Sequence, residues 1–239
     1  MSAVSTTPRI AHIFSTDEFT ARLHQHSDRY WHKHPFHIRL RQGELSKTEL
    51  RRWISNRWYY QKSLPQKDAA IIANCPDPEV RRVWLRRINY QDGTADHDGG
   101  LAGWLALAAA AGIGEDEVLD ERHVLPGTRF ATDAYVHFAR TRPWIEAVAS
   151  SLTELFSPGL MRERLSALRD HYPWIDPAGH GYFLSRPAAA EEDAKHALGL
   201  VVEHCTTRES QDSALAALTF KCDVLWAMLD AIEHGTRAG

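Results

Sequence analysis

The sequence predicts an all-α protein, a compact bundle of about seven helices. Three observations support this fold class: helix-start signals recur, apolar side chains repeat at helical spacing, and strand signals are nearly absent. The chain has 239 residues, of which 44% are hydrophobic, and this is enough to bury one core. The only strand-like stretch, at 135–138, has helical flanks. Without an internal repeat or a shift in composition, residues 1–239 are expected to form one domain that includes a short flexible N-terminal segment at about 1–14.

The first helices are predicted by their start signals. The sequences STDE at 15–18 and SKTE at 46–49 are capping boxes, in which a hydroxyl and a Glu three residues later satisfy free backbone N–H groups. Asp77 followed by Pro78 is a third start signal, because proline suits the first helical position. Two stripes of side chains at i, i+3, i+4 spacing follow. They consist of Trp53, Arg57, Tyr60, Gln61 and Leu64, and of Val80, Val83, Trp84, Arg87, Ile88 and Gln91.

The later helices are predicted between residues that break helices. Glycine and proline at 93, 112–114, 126–127, 143, 158–159 and 173–181 divide the rest of the chain. The segments between them are predicted as helices at about 98–111, 127–141, 144–156, 159–170, 187–208 and 211–234.

Composition excludes several classes of protein. No run approaches the roughly 18 apolar residues of a membrane span, and residues 1–10 lack the apolar stretch of a signal peptide. The three cysteines contain no CxxC pair, which favours a reducing, cytoplasmic location. The arginine pairs at 81/82 and 86/87 are read as a solvated face rather than a nucleic-acid site, because the net charge is −3.

Standard nucleotide, nucleophile and metal motifs are absent from the sequence. A helical bundle with 14 His residues could hold a di-iron centre, but that centre uses Glu-x-x-His on facing helices. The nearest matches are Asp120-x-x-His123 and Asp193-x-x-His196. We therefore expect no metal site.

The two helical stripes carry polar groups where a core stripe should be apolar. Arg57, Tyr60 and Gln61 share one helix face, and Arg87 and Gln91 lie one turn apart on another. A buried charge is costly unless it is paired, so these groups either form a salt-bridge layer between helices or line a pocket for an anionic ligand. Both interpretations stay open on the pattern alone.

Two further signals lie nearer the C-terminus. Tyr182 and Arg186 would share a helix face just after a glycine-rich connector. Lys221 lies in an apolar stretch, so it either reaches the surface or serves a ligand carboxylate. Only six of the 28 basic residues are Lys, and the arginine excess favours forked binding of carboxylates.

Seven sequence blocks occur in one order along the chain. They read NRWYYQ at 56–61, PxKDAAI at 65–71, ANCP at 73–76, ERHVLPG at 121–127, SSLTELF at 150–156, HYPWI at 171–175 and FKxDxLW at 220–226. Together these blocks resemble the pyrroloquinoline-quinone synthase family (PqqC), and the resemblance extends from about residue 30 to about residue 231. Because the blocks keep one order, the resemblance is far more specific than one short motif.

The resemblance implies a seven-helix bundle of the haem-oxygenase-like (TenA/PqqC) type that forms a homodimer in the cytoplasm. It also implies an enzyme for the last step of pyrroloquinoline quinone (PQQ) biosynthesis. That step closes a ring and removes eight electrons from a bicyclic precursor, using O₂ as co-substrate and releasing H₂O₂. The family needs no metal or organic cofactor, and PQQ is the product. The implied small-molecule partner is a tricarboxylate quinone or its precursor.

The resemblance also assigns roles to residues of this chain. Carboxylates and quinone oxygens would be held by Arg57, Lys67, Arg87, Arg164 and Lys221. Hydrogen bonds and contacts to substrate would come from Tyr30, Tyr60, Gln61, Tyr135 and Thr153. The catalytic set would be Tyr182 and Arg186 on the oxygen side, Glu154 as a proton acceptor, and Gln91.

The chain departs from the family at three histidine positions, which here hold Gln91, Met161 and Trp31. At the position of Gln91, family members have a His that acts as a general acid or base above the substrate. The Gln91 amide can form hydrogen bonds but cannot titrate. Two alternatives to the enzyme therefore remain. One is a catalytically weakened PQQ-binding or carrier protein on the same scaffold, and the other is a di-metal oxidase with the same fold.

Overall fold

The computed structural model of the protein describes residues 12–235. Helices account for most of this range, and the described residues contain no β-strand. In order, the α-helices are α1 (Thr16–Gln25), α2 (Pro35–Gln42), α3 (Lys47–Asn74), α4 (Pro78–Asp92), α5 (Gly99–Ala110), α6 (Glu115–Leu119), α7 (Pro126–Thr141), α8 (Trp144–Ser150), α9 (Ser157–His171), α10 (Gly181–His204) and α11 (Arg208–His234). Short 3₁₀ helices occupy His26–Arg29, Trp31–Lys33, Ser151–Phe156 and Pro177–His180.

The all-α fold class is confirmed, but the predicted helix number of seven is wrong. The described range contains ten α-helices of seven residues or more and the five-residue α6. Seven of the ten have at least twelve residues, and these longer helices form the body of the bundle. The others are short because irregular 3₁₀ segments or tight turns interrupt the chain beside them.

Two predicted helix boundaries differ by six residues. The predicted helix at 144–156 ends at Ser150 and continues as a 3₁₀ segment. The helix predicted from 187 begins at Gly181, so Pro187 lies inside α10. A proline costs one backbone hydrogen bond, but burial of Tyr182 and Phe183 stabilises the turns before it.

The predicted start signals are confirmed. Ser15 with Glu18 and Ser46 with Glu49 both form complete capping boxes, and the Asp77 side chain accepts a hydrogen bond from the Glu79 N–H group. Residues 1–11 of the predicted flexible segment lie outside the described residues. Its last residue, Phe14, is buried, and its backbone exchanges hydrogen bonds with the Gln211 side chain.

Helix α3 positions the site. Its 28 residues span about 42 Å, and it packs against α4, α5 and α7. One hydrophobic cluster surrounds Trp53 near its start, and a second contains Ile71 near its end. The polar residues of the first stripe lie between the two clusters, so this fold buries them in the middle of the bundle.

No helix in residues 12–235 is long and apolar enough to cross a membrane.

Candidate active site

A narrow polar cavity of about 60 Å³ lies where the middle of α3 meets α7, α9, α10 and α11. Most of its lining carries hydroxyl, amide or charged groups. The lining consists of Tyr30, Trp31, Arg57, Tyr60, Gln61, Leu64, Lys67, Tyr135, Ser151, Thr153, Glu154, Ser157, Met161, Tyr182, Arg186, Lys221 and Leu225. A larger cavity of about 410 Å³ lies elsewhere on α3, beside Arg51 and Arg52, and contains none of the predicted site residues. The chemistry, rather than the volume, therefore marks the narrow cavity as the candidate site.

Arg57 enters this cavity without a carboxylate partner among residues 12–235. It is 2% exposed, and neither Nε nor Nη1 has a hydrogen-bond partner. Its guanidinium carbon lies 4.7 Å from the ring centroid of Trp31 and 4.5 Å from that of Tyr60. Burial lowers the pKa of Arg57. The aromatic faces compensate part of this cost, and the free N–H groups can still donate to a ligand anion.

Arg164 is a second buried arginine, and it lies behind Trp31 rather than in the cavity lining. Its Nη2 lies 2.6 Å from Nε2 of His37, whose Nδ1 lies 2.8 Å from the Trp31 carbonyl oxygen. His37 therefore donates from Nδ1 and accepts at Nε2, which requires the neutral ring. Burial and the Arg57 charge lower the pKa of Arg164 to about 9, and burial and Arg164 lower that of His37.

Lys221 is the third cation without a carboxylate partner in the described part of the chain. Its Nζ donates a 2.7 Å hydrogen bond to the Tyr60 hydroxyl and lies 3.3 Å from the Tyr135 ring centroid. Burial, followed by the charges of Lys67 and Arg57, lowers the pKa of Lys221 well below its ordinary value. The predicted burial of this lysine is confirmed, since only 1% of it is exposed.

Two arginines and two carboxylates form a closed ring on one wall, which we call the charge ring: Arg87, Glu154, Arg186 and Asp193. Glu154 Oε1 accepts from Arg87 Nη2 at 2.5 Å and from Arg186 Nη2 at 2.9 Å. Asp193 Oδ2 accepts from Arg186 Nη1 at 3.1 Å and lies 3.5 Å from Arg87 Nη1. Burial raises the pKa of Glu154, but Arg87, Arg186 and Lys67 outweigh it and lower the net value. Glu154 is therefore ionised, and its Oε2 has no hydrogen-bond partner.

Lys67 belongs to a neighbouring pair with Asp68. Lys67 Nζ donates to Asp68 Oδ1 at 2.5 Å and to Ser151 Oγ at 3.2 Å. Trp84 Nε1 donates to the same carboxylate oxygen at 2.8 Å, and Arg87 Nε lies 3.4 Å from it. Burial raises the pKa of Asp68, but the charges of Lys67 and Arg87 lower it by more, so its pKa lies below the ordinary value.

The site as a whole has more cations than carboxylates. The three carboxylates Asp68, Glu154 and Asp193 neutralise three cations. Three remain: Arg57, Arg164 and Lys221. With every group ionised, the site has a formal excess of three positive charges. One wall of the site is a salt-bridge layer, and the unpaired cations of the rest are able to bind an anion.

Gln91 lies one layer behind the cavity. Its Nε2 donates to the backbone oxygen and to the Oε1 of Gln61, both at 3.1 Å, and it is not part of the lining. Tyr182 donates its hydroxyl to the same Gln61 Oε1 at 3.1 Å. Gly100 packs against the Gln91 side chain, and a Cβ added at Gly100 would lie only 2.8 Å from Gln91 Oε1. Gln91 thus fixes the Gln61 amide, whose Nε2 is buried without a partner.

The structure brings all fourteen predicted site residues into one region. Eleven line the cavity: Tyr30, Arg57, Tyr60, Gln61, Lys67, Tyr135, Thr153, Glu154, Tyr182, Arg186 and Lys221. Arg87, Gln91 and Arg164 lie directly behind them, in contact with Glu154, Gln61 and His37 respectively.

The polar residues of the site that were not predicted include His37, Asp68, Ser151, Ser157 and Asp193. Asp193 carried a detectable signal, because it follows Arg186 by seven residues and two helical turns place both on one face. His37 and Ser151 gave no such signal, since their contacts join distant parts of the chain.

The three positions that depart from the family pattern supply no titratable group. Trp31 and Met161 line the cavity, Gln91 lies behind it, and the lining contains no histidine. Within residues 12–235, no group of three or more His, Cys, Asp or Glu side chains could hold a metal ion.

Comparisons with known proteins identify the family of this chain. The TENA/THI-4/PQQC family model matches residues 20–231. A pyrroloquinoline-quinone synthase of Pseudomonas aeruginosa is 52% identical over 206 residues, covering 86% of this chain and 82% of that protein. One from Pseudomonas putida is 47% identical over 219 residues, covering 92% of this chain and 87% of that protein.

Solved structures show the same fold at much lower identity. A TenA homologue from Pseudomonas syringae superposes with a TM-score of 0.71 at 14% identity, covering 96% of this chain and 99% of that one. A Shewanella denitrificans domain with a haem-oxygenase-like fold gives a TM-score of 0.71 at 16% identity, covering 95% and 98%. The predicted haem-oxygenase-like architecture is therefore confirmed. By its sequence match over most of its length, the chain belongs to the TENA/THI-4/PQQC family.

Proposed function

We propose that this protein is an enzyme of PQQ biosynthesis that catalyses the final ring closure and oxidation of the bicyclic precursor. One observation carries the proposal: within residues 12–235, three buried cations lack carboxylate partners, Arg57 and Lys221 in the cavity lining and Arg164 directly behind it. The relatives at 47–52% identity are named pyrroloquinoline-quinone synthases. The product has three carboxylates. Three unneutralised cations match that charge, and such a cluster is costly without an anion.

The lining supports distinct tasks for its residues. Arg57 and Lys221 orient ligand carboxylates, while Arg164 supports Arg57 from behind Trp31. Glu154 lines the cavity, its Oε2 has no hydrogen-bond partner among residues 12–235, and it accepts protons from the substrate. Tyr182 and Arg186 provide a hydroxyl and a positive charge for oxygen reduction on the charge-ring side. Dioxygen accepts the electrons that the substrate loses, with release of H₂O₂.

The cavity must widen to admit a tricyclic ligand. Its volume of about 60 Å³ is well below the roughly 300–1,000 Å³ of ordinary ligand pockets. Binding of the precursor therefore displaces lining side chains from their unliganded positions.

The direct test is aerobic incubation of the purified protein with the bicyclic precursor. We expect the quinone absorbance to appear while oxygen is consumed and H₂O₂ is released. The Arg57→Met variant should lose this activity, whereas Arg162→Met, which removes an exposed arginine of α9, should retain it. A wild-type protein that binds PQQ tightly but gives no turnover would contradict the proposal.

A PQQ-binding or carrier protein is the second candidate, and the absence of histidine from the cavity lining favours it. This candidate predicts tight PQQ binding with turnover slower by about 10²–10⁴-fold, the usual contribution of a positioned acid or base. The Gln91→His variant separates the candidates. A carrier that lost its acid/base should gain turnover in this variant, whereas an enzyme that uses Glu154 should change by less than about tenfold.

We also propose that the reaction needs no metal or organic cofactor and that the protein is a cytoplasmic homodimer. The three cysteines of the chain are buried and unpaired, which fits a reducing compartment. Elemental analysis of protein prepared without chelators tests the first point, and one or two irons per chain would indicate the di-metal oxidase instead. Light scattering tests the dimer, and a monomeric mass would refute it.

A further inference from the structure

The outer half of the charge ring has no task in the proposed reaction. Asp193 lies on α10, and its side chain is 19% exposed at an outer cavity of about 310 Å³. Arg87 and Asp193 line that cavity, whereas Glu154 and Arg186 line the reaction cavity, and the two linings share no residue. Asp193 therefore contacts the two arginines but not the space where a ligand would bind.

The ring couples the two carboxylates through shared partners. Arg186 donates to Glu154 through Nη2 and to Asp193 through Nη1, and Arg87 lies between the same two carboxylates. Each guanidinium thus divides its charge between an inner and an outer carboxylate. Neutralising the outer carboxylate leaves both cations to act on Glu154 and on the cavity.

We propose that Asp193 is a positioning residue that, through Arg186 and Arg87, sets how readily Glu154 accepts a proton and how strongly the cavity holds an anion. The proposal rests on the proposed function for its catalytic part only. Its electrostatic part concerns residues 87, 154, 186 and 193 and holds for a carrier as well as for an enzyme.

The sign of the effect follows from the charges around the ring. Burial and the negative charge of Glu154 raise the pKa of Asp193, while Arg87 and Arg186 lower the pKa of both carboxylates. Because the repulsion between two like charges is mutual, the Asp193 charge also opposes ionisation of Glu154. Loss of the Asp193 charge therefore makes Glu154 a weaker base and the cavity more positive. The other charged or titratable groups near the ring are Lys67 and Asp68 on α3, Arg86 and Tyr90 on α4, Tyr182, Glu192 and His196 on α10, and Lys221 on α11. None of them contacts both carboxylates.

The test compares Asp193→Asn with a control at the next residue. Asparagine keeps an oxygen that accepts from Arg186 but removes the charge. Glu192→Gln removes an equal charge from a side chain that is 81% exposed and 3.8 Å from Arg86. We expect Asp193→Asn to tighten PQQ binding by about tenfold and to shift the acid limb of the turnover profile to lower pH by about one unit. Glu192→Gln should change neither, and Asp193→Glu should restore wild-type behaviour.

A third measurement needs neither PQQ nor turnover. The ¹³C-carboxyl resonance of Glu154, assigned by its loss in Glu154→Gln, should titrate at lower pH in Asp193→Asn than in wild type. An unchanged Glu154 titration in a folded Asp193→Asn variant would overturn the proposal, and so would weaker PQQ binding. If Asp193→Asn fails to fold, Asp193→Ser must show the same signs. If the wild-type protein shows no turnover, the proposed function is refuted. The Glu154 titration and the PQQ affinity still decide whether Asp193 has the proposed role.

Discussion

Replacing Arg57 with Met should stabilise the free protein and weaken ligand binding at the same time. Arg57 is 2% exposed and has two N–H positions without partners. An uncompensated buried ion costs several kcal/mol, and replacing buried ions with apolar side chains often stabilises a protein by about 1–4 kcal/mol. The cation–π contacts of Arg57 with Trp31 and Tyr60 offset about 1–2 kcal/mol of this cost. We therefore expect the free energy of unfolding to rise by about 1–3 kcal/mol.

The same substitution should reduce PQQ affinity. Removing one partner of a buried charge pair costs about 2–5 kcal/mol in binding, which corresponds to roughly 30- to 4,000-fold in Kd. Urea unfolding without ligand measures the first effect, and a fluorescence titration with PQQ measures the second.

Arg162→Met is the matched control on α9, because Arg162 is exposed and pairs with the exposed Glu191. Its stability should change by no more than about 0.5 kcal/mol, with PQQ affinity unchanged. The reasoning is refuted if Arg57→Met lowers the free energy of unfolding by more than about 1 kcal/mol, or if PQQ affinity stays at the wild-type value. Either result would mean that Arg57 is satisfied in the free protein and is not held for an anion.

Three more outcomes are expected. Glu154→Gln should lower turnover by about 10²–10⁴-fold without weakening PQQ binding, since it removes a base; stopped-flow assays and titrations separate the two effects. Burial lowers the pKa of Lys221, and a bound carboxylate raises it again. In the pH range where this shift leaves Lys221 of the free protein partly neutral, PQQ binding should take up a proton and weaken as pH rises, as calorimetry in two buffers would show, and Lys221→Met should abolish the uptake. Burial raises the pKa of Glu49, but hydrogen bonds from Ser46 and Arg39 outweigh it and lower the pKa to about 2. Its stabilisation is thus fully present above about pH 4.5 and is lost as the pH falls through about 2. Glu49→Gln should therefore cost about 1–2 kcal/mol at pH 7 in chemical denaturation, and progressively less as the pH falls below 4.5.

Local signals in the sequence were sufficient to predict the main helices. A capping box needs only residues three apart, such as Ser46 and Glu49, and the structure contains both predicted boxes. The errors occurred where tertiary packing opposed local preference. The helix predicted from residue 187 begins at Gly181, because burial of Tyr182 and Phe183 stabilises the turns before Pro187.

The membership of the site was also predictable, largely through the family resemblance. Polar residues in the stripe of α3 indicated a buried polar site, and the ordered sequence blocks identified the remaining candidates. The sequence did not reveal which cations are neutralised. Lys67 has Asp68 beside it in the chain, but Arg87 finds Glu154 only through a contact between residues 67 positions apart.

The sequence by itself determined the helical class and the residue types available to hold a polycarboxylate, because periodicity and chemical identity are local properties. Only the tertiary structure decided that Arg57, Arg164 and Lys221 lack carboxylate partners within residues 12–235 and that Gln91 lies behind the cavity. It also placed Asp193 on the outer side of the charge ring. Charge pairing and burial depend on which distant helices meet, and that is a property of the whole bundle.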